Sequence, residues 1–366
     1  MEDGQSRTGV NEDIHWSTID SLVFQLFQPE ISMTDLDDLA NFAEKVKELG
    51  FECTEEELEL IQTDLQTCFL NVDETKLFGI AKQLYDLSSN DKWWCFASLR
   101  MRALKTELKC WKRLFKGYDL ICVDEAQDLS RSMFLLCQEL HKEHCFVYTL
   151  DGAQKLYRFM KCINVQDELH PDSYKLHQFY ITYRHGQTIC DYVMQNQLQS
   201  HAVYSATTAP KTVIERYDNN LLYPGEHTVI MTSWKNILLY AEKALAEGRA
   251  VRIDETKRLE IIEALESKKD HSRYAALFTA LSKHWIKDVV SRMNSTEADD
   301  EIFLTTIHGS KGLQWKIVRL FMDVVDCKRQ PKDDFDDSKE RKYVAVTRCQ
   351  HKLVIPMQKT LKRKSE

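Results

Sequence analysis

Residues Leu120-Ile-Cys-Val123 form a short apolar run that stops abruptly at two adjacent carboxylates, Asp124 and Glu125, followed by Ala126-Gln127-Asp128. A short apolar run bounded by polar residues suits a strand buried on both faces, as in a parallel sheet. Carboxylates just past the C-terminal end of such a strand stand at the edge where open α/β sheets bind their ligands. Two neighbouring acids there fit one chemistry well: the first holds a divalent cation on a nucleotide, the second polarises an attacking water. A bare Asp-Glu pair is more often only a charged turn, so the rest of the chain has to decide between the two.

With 366 residues, 43% of them hydrophobic and 29% charged, the chain has the composition of a soluble globular protein of two or more domains. Its net charge of −8 excludes the global basic field of many small DNA-binding domains, so any nucleic-acid contact has to come from local patches. Met1 to Asp13 is polar and lacks the apolar core of a signal peptide, and no apolar run reaches membrane-spanning length. A soluble, intracellular protein without membrane contact is expected. The 11 cysteines are scattered, with no Cys-x-x-Cys pair, which points to a reducing compartment rather than to disulfides or structural zinc. Cys122, Cys145 and Cys190 lie in apolar contexts and read as small core residues.

Taken in order, residues 1–30 read as a leader with one short helix at Ile19 to Phe27, and residues 31–117 as a helical region. Thr34 is placed to cap a helix that Gly50 closes. Thr54-Glu-Glu-Glu57 has the form of a capping box ahead of Leu58, Ile61, Leu65 and Phe69 at helical spacing. Trp93 to Phe115 interleaves Trp93, Trp94, Phe96 and Trp111 with basic residues; it is either an amphipathic helix with a solvated basic face or a surface that stacks bases. Residues 118–172 then read as strand, helix, strand, with Cys145 to Leu150 as the second strand. Residues 173–358 hold further strands at Lys175 to Ile181, Thr228 to Thr232, Ala250 to Ile253, Ile302 to Thr306, Ile317 to Val325 and Lys352 to Pro356, with a charged helical insertion at 256–300. An acidic loop is expected at Arg329 to Glu340. The tail, 359–366, is basic, and Lys359, Lys362, Arg363 and Lys364 make a short run of the kind found in nuclear signals.

The polar strand ends form an ordered series: Val123-Asp-Glu-Ala-Gln-Asp128; Asp151-x-x-Gln154-x-x-Tyr157-x-Phe159; Thr182-Tyr183-Arg184; Thr305-Thr-Ile-His308-Gly-Ser-Lys311-Gly-Leu-Gln-Trp315; and Tyr343-Val-Ala-Val-Thr-Arg348. The series resembles motifs II to VI of the UvrD/Rep/PcrA-like superfamily 1 DNA helicases, in that family's order, and is most similar to its F-box DNA helicase branch, although no F-box is recognisable. The resemblance covers Trp93 to Met357. It implies an α/β fold of RecA-like parallel sheets, a partial N-terminal lobe and a fuller C-terminal lobe, beside the helical N-terminal region. It implies ATP and Mg²⁺ as cofactors and single-stranded DNA as a partner. By the same resemblance Asp124 would hold Mg²⁺, Glu125 would activate water, Gln154 would sense the γ-phosphate, and Arg184 and Arg348 would act as arginine fingers. Gln127, Gly312 and Gln314 would serve the nucleotide; Tyr157, Phe159, His308 and Trp315 would face DNA. The plain alternatives are that Tyr157 and Phe159 are core residues and that Trp315 merely begins a strand.

The chain also departs from the family pattern. No Gly-x-x-x-x-Gly-Lys-[Ser/Thr] occurs, and the glycines before residue 118 (4, 9, 50, 79 and 117) resemble no phosphate-binding loop. Leu150 replaces the glycine usual before Asp151, Gln314 replaces a glutamate, the family's motif Ia is unrecognisable, and the large insertion of the bacterial enzymes shrinks to about residues 256–300. Three readings follow from the residues: a portion of an ATP-dependent helicase whose ATP-binding portion lies elsewhere, on a partner for instance; an inactive relative that binds single-stranded DNA or protein; or an ATPase with an unfamiliar phosphate loop.

Overall fold

The computed structural model describes residues 15–29, 33–36, 38–157, 162–266, 274–294, 300–326 and 336–357. Phe159, the basic tail, half of the leader and most of the acidic loop lie outside these. By its contacts the chain divides into two compact units, Met1–Asp151 with Tyr157–Tyr174, and Gly152–Leu156 with Lys175–Glu366.

The first unit opens with six helices: α1 (Ile19–Phe27), α2 (Leu39–Glu48), α3 (Glu55–Asn71), α4 (Gly79–Ser89), α5 (Phe96–Lys105) and α6 (Leu108–Leu114). The capping box before α3 forms as its sequence predicts, with Thr54 and Glu57 bonded reciprocally. Its apolar stripe, Leu58, Ile61, Leu65 and Phe69, is buried. The cap of α2 is Asp38, whose carboxylate accepts from the Asn41 amide, and not Thr34. Thr34 instead donates its amide to the Trp94 carbonyl. Gly50, at φ +87°, closes α2 as expected.

Trp93 to Phe115 is two helices and not one, and its tryptophans are core. Trp93 and Trp111 are fully buried, donating their indole N–H groups to the carbonyls of Leu84 and Leu136. Arg100 is buried with them and paired to Asp20. Base stacking by these rings is therefore overturned, because they fill the cavity between helices instead.

After α6 come β1 (Leu120–Val123), α7 (Arg131–Gln138) and β2 (Cys145–Tyr148), a βαβ unit whose strands pair in parallel, Leu120 against Cys145 through Val123 against Tyr148. The expectation of a strand buried on both faces fails here. Ile121, Val123, Phe146 and Tyr148 pack inward, whereas Leu120 (51% exposed), Cys122, Cys145 and Val147 (44%) face solvent. Among the described residues this sheet has two strands and no second layer, so Cys122 and Cys145 are exposed and not core.

The second unit holds β3 (Ile181–Thr182), α8 (Gln187–Gln195), β4 (Tyr204–Ser205), β5 (Val213–Tyr217), β6 (His227–Met231), α9 (Trp234–Ala246), β7 (Val251–Arg252), α10 (Glu255–Glu266), α11 (Ala275–Ala280), α12 (Lys283–Arg292), β8 (Ile302–Thr306), β9 (Trp315–Leu320), α13 (Ser338–Val346) and β10 (Cys349–Pro356). Its main sheet is six-stranded and parallel, in the order β5-β10-β9-β6-β8-β7. Side chains alternate across it. Val229, Met231, Ile302 and Leu304 pack with α9 and α12, and Ile230, Val318, Leu353 and Ile355 with α8 and α13. The helices of the 256–300 insertion, α10 to α12, pack into the first of these layers. Every residue of β6 is buried, as befits a central parallel strand.

Three expectations are corrected. Lys175 to Ile181 is an exposed extended segment with β-pairing only at Ile181–Thr182. The strand from Ile317 ends at Leu320, and Met322–Val325 is a helical turn. Ser338 to Glu340, assigned to the acidic loop, begins α13.

Candidate functional site

In the first unit the acid pair emerges at the C-terminal end of β1. Asp124 Oδ1 accepts the Glu125 amide at 3.0 Å and the Thr149 hydroxyl, which comes from the end of β2. Glu125 sits at φ 52°, ψ 39° in the left-handed region, a conformation that costs a non-glycine residue on the order of 1 kcal/mol and that neighbouring structure must enforce. That enforcement is visible on either side of it: Ala126 N–H donates to the Thr149 carbonyl at 2.8 Å, and Thr149 N–H to the Val123 carbonyl at 3.0 Å. Gln127 is buried and acts as a coupler. Its amide nitrogen donates to the Glu125 carboxylate, and its oxygen accepts the Asp151 N–H at 3.0 Å. Asp124 and Glu125 themselves are exposed. An exposed carboxylate held by a hydroxyl and an amide, beside a second carboxylate, is a donor set suited to a hard divalent cation. Among the described residues no group of three or more His, Cys, Asp and Glu forms a preassembled metal cage.

In the second unit Arg348 gathers residues from separate motifs. It is fully buried, directly after α13. Its Nε donates to the Val344 carbonyl at 3.0 Å, Nη1 to the Leu313 carbonyl at 3.4 Å, and Nη2 to Gln154 Oε1 and Thr347 Oγ1, each at 3.2 Å. Gln154, Arg348 and the Gly312-Leu313-Gln314 turn are thus brought together. Gly312 takes φ +81°, which the turn after β8 requires, and both it and Gln314 are exposed. Arg184 is half-buried just past β3. Beside it His185 is buried, and burial, reinforced by the Arg184 and Arg348 guanidinium groups, depresses its pKa to about 4. A neutral imidazole is the result at pH 7.

The residues read as facing DNA divide. His308 is half-buried and bonded to the Leu156 backbone, with its pKa held low by burial and by Arg341. Trp315 begins β9, half-buried, with its ring 5.8 Å from that of Phe303. Tyr157 is half-buried, and its carbonyl accepts the Cys162 thiol.

Three residues that matter to this geometry carried no signal when read singly. Thr149 supports Asp124; the cue was only its place at the polar end of the second strand. Thr212 accepts the Gly186 N–H at 2.8 Å and donates to the Gln350 carbonyl at 2.6 Å, tying the start of α8 to β10. Gly186 itself leaves no room for a Cβ, which would meet Pro210 O at 2.6 Å.

Parallel strands that carry their polar residues at the C-terminal ends, flanked by helices, define an α/β protein with RecA-like sheets. The model of the UvrD-like helicase C-terminal domain matches residues 154–360, more than half of the 366 residues, and the chain belongs to that family. No curated protein matches it. Among solved structures, PRRSV helicase is similar at 15% identity and a TM-score of 0.29 over 64% of this chain and 34% of its own. A crystal structure of PRRSV nsp10 (helicase) is similar at 14% identity and a TM-score of 0.21 over 66% and 36%. The chain therefore spans about a third of the length of these structures, and likenesses at such scores carry nothing further.

Proposed function

We propose that this chain is the motif II to VI portion of a UvrD-like, ATP-dependent superfamily 1 helicase, whose activity is the coupling of ATP hydrolysis to movement on single-stranded DNA. The observation that carries the reading is the acid pair at the end of β1. Asp124 is oriented by Thr149 and Glu125 is fixed in a strained backbone conformation and tied through Gln127 to Asp151. In this reading Asp124 holds Mg²⁺ and Glu125 polarises water; the cation supplies charge neutralisation on the phosphates when bound. Gln154 reports the γ-phosphate, and Arg184 and Arg348 stabilise developing charge. Arg348 is engaged with protein acceptors, so reaching a phosphate requires it to exchange at least its bond to Gln154. Gly312 and Gln314 complete the nucleotide side, and Tyr157, Phe159, His308 and Trp315 the DNA side.

The open two-stranded sheet supports a further element of the proposal: the phosphate-binding loop comes from a partner polypeptide or from a portion of the protein outside these residues. A second reading, an inactive single-stranded DNA- or protein-binding relative, is favoured by one observation, the absence of any Gly-x-x-x-x-Gly-Lys-[Ser/Thr] in the chain. ATP turnover with and without single-stranded DNA, measured with the polypeptide that carries the phosphate-binding loop present, separates the two. DNA-stimulated turnover lost in Glu125→Gln, and reduced about 1000-fold or more in Arg348→Ala, supports the motor. No turnover and no nucleotide binding leaves the binding module.

A further inference from the structure

We propose that the cavity at the N-terminal end of β1 and β2 is a docking site for a phosphorylated residue of a protein partner. Its volume is about 420 Å³, and it lies among Lys112 and Arg113 of α6, Lys116 and Asp119 of the turn into β1, and Glu143 and His144 just before β2. The length of β1 separates it from the acid pair, and it shares no residue with the nucleotide side. It also accounts for the basic residues that the buried tryptophans left unexplained. Residues 108–118 carry Lys109, Lys112, Arg113 and Lys116 and no acid, in a chain of net charge −8. The rings of this stretch turn inward: Trp111 donates to the Leu136 carbonyl at 2.9 Å and packs on Phe115, with 5.0 Å between ring centroids. The cations are thereby presented from a fixed scaffold.

Lys112 is already paired, to Glu143 at 3.1 Å and Glu139 at 3.9 Å. Among the described residues the side chains of Arg113 and Lys116 have neither a hydrogen bond nor an ion pair, and neither has the Asp119 carboxylate. Cations in a last helical turn complement the helix dipole, which explains their charge but not a cavity beside them. His144 is fixed by its Nδ1, which donates to the Tyr118 carbonyl at 2.7 Å, and by the Phe115 ring at 6.4 Å, so that Nε2 remains available. A guanidinium beside an ammonium suits a phosphate monoester, which carries close to two negative charges and accepts bidentate bonds. The carboxylates select the carrier. Asp119 and Glu143 repel a polyanion, whereas a peptide offers Asp119 its backbone N–H groups or a neighbouring lysine. Arg113, Lys116 and Asp119 are exposed, so the cavity is too shallow to bury most of a free small molecule. A phosphate carried on a chain has only to insert its head.

The test is a phosphorus NMR titration of an acetylated, amidated Gly-phosphoserine-Lys-Gly peptide with the full chain, in EDTA so that no divalent cation links phosphate to Asp124 and Glu125. Binding should shift and broaden the phosphate signal and weaken with salt, and the unphosphorylated peptide should not compete. Arg113→Ala and Lys116→Ala should each weaken binding about 10-fold to 100-fold, and Arg113→Lys, which keeps the charge but not the fork, should weaken it less. Both side chains are exposed, so unchanged thermal unfolding checks that the fold survives. Binding that both alanine variants retain overturns the site, as does no binding at low salt. Free phosphoserine or oligo(dT) that displaces the peptide as well as the peptide displaces itself, at equal phosphate concentration, overturns the assignment to a partner's phosphorylated residue.

Discussion

His185 and His227 place two neutral imidazoles in the interior of the second unit. Each is pushed from the ordinary 6.5 down to about 4, chiefly by burial. His227 donates through Nδ1 to the Gly225 carbonyl at 2.8 Å, while its Nε2 is buried without a hydrogen-bond partner. Above about pH 6.5 folded and unfolded chains are both neutral at these positions and nothing is lost. As pH falls from 6.5 toward 4 the unfolded chain takes up protons that the folded chain refuses, so stability declines, on the order of 3 kcal/mol per histidine at the limit. Urea unfolding at pH 7 and pH 4.5 should record this loss, and His185→Gln with His227→Gln should flatten the profile; an unchanged slope would mean other groups set it. Glu125 gives a second test at this scale. Glycine adopts its left-handed conformation without steric cost, so Glu125→Gly should raise stability by up to about 1 kcal/mol while removing the carboxylate. A loss of stability would show that the side chain's bond to Gln127 outweighs the strain. The acids and Gln154 were legible because they follow short apolar strands; Arg348 was legible only as part of the motif series, since Tyr343 to Val346 is the end of helix α13 and not of a strand. That Arg348 would be sealed among backbone carbonyls was not legible, since nothing local in Tyr343 to Arg348 encodes where the Leu313 carbonyl lies.

Elements were readable where one local signal decided the outcome. The capping box fixed the start of α3 because Thr54 and Glu57 satisfy each other without help from distant residues. Trp93 to Phe115 misled because an aromatic-basic pattern is the same whether the rings meet bases or neighbouring helices; α3, α4 and α7 decide that, and they lie outside the segment. Lys175 to Ile181 misled in the opposite sense, since its apolar residues remain exposed. Gly186 shows how a position without any motif can hold elements together. A Cβ there would approach Pro210 O at 2.6 Å and Thr212 N at 2.8 Å, both backbone, at the point where Thr212 links α8 to β10. Gly186→Ala should therefore cost about 1–3 kcal/mol as an overpacking change, read as a lower midpoint in denaturant. Thr212→Ser keeps the hydroxyl and should stay much nearer the parent. A neutral Gly186→Ala would mean that the 210–212 segment yields freely.

At the scale of the whole molecule the two sheets obey opposite rules. The six-stranded sheet has helices against both faces and β6 is wholly buried; the β1–β2 sheet is covered on one face and bare on the other. Parallel sheets are ordinarily covered on both sides, and an isolated pair of four-residue strands is marginal in water. The sequence predicted a strand but could not tell how many neighbours it has, because apolar residues on a face awaiting a second layer look like those on a face already covered. If the chain stands alone in solution, a lysine on the bare face should be nearly silent: Leu120→Lys and Val147→Lys should each change unfolding free energy by less than about 0.5 kcal/mol. Val229→Lys, within the covered sheet, should prevent folding or cost more than about 4 kcal/mol. Amides of Leu120 to Val123 should exchange with solvent far sooner than those of His227 to Met231. Slow exchange in β1, with a penalty of 2 kcal/mol or more for Val147→Lys, would mean that the bare face is already covered in the purified protein. The polypeptide proposed to bring the phosphate loop would then have to bind elsewhere. Silent lysines and fast exchange leave that face open to receive it, and the same two variants should then block its binding.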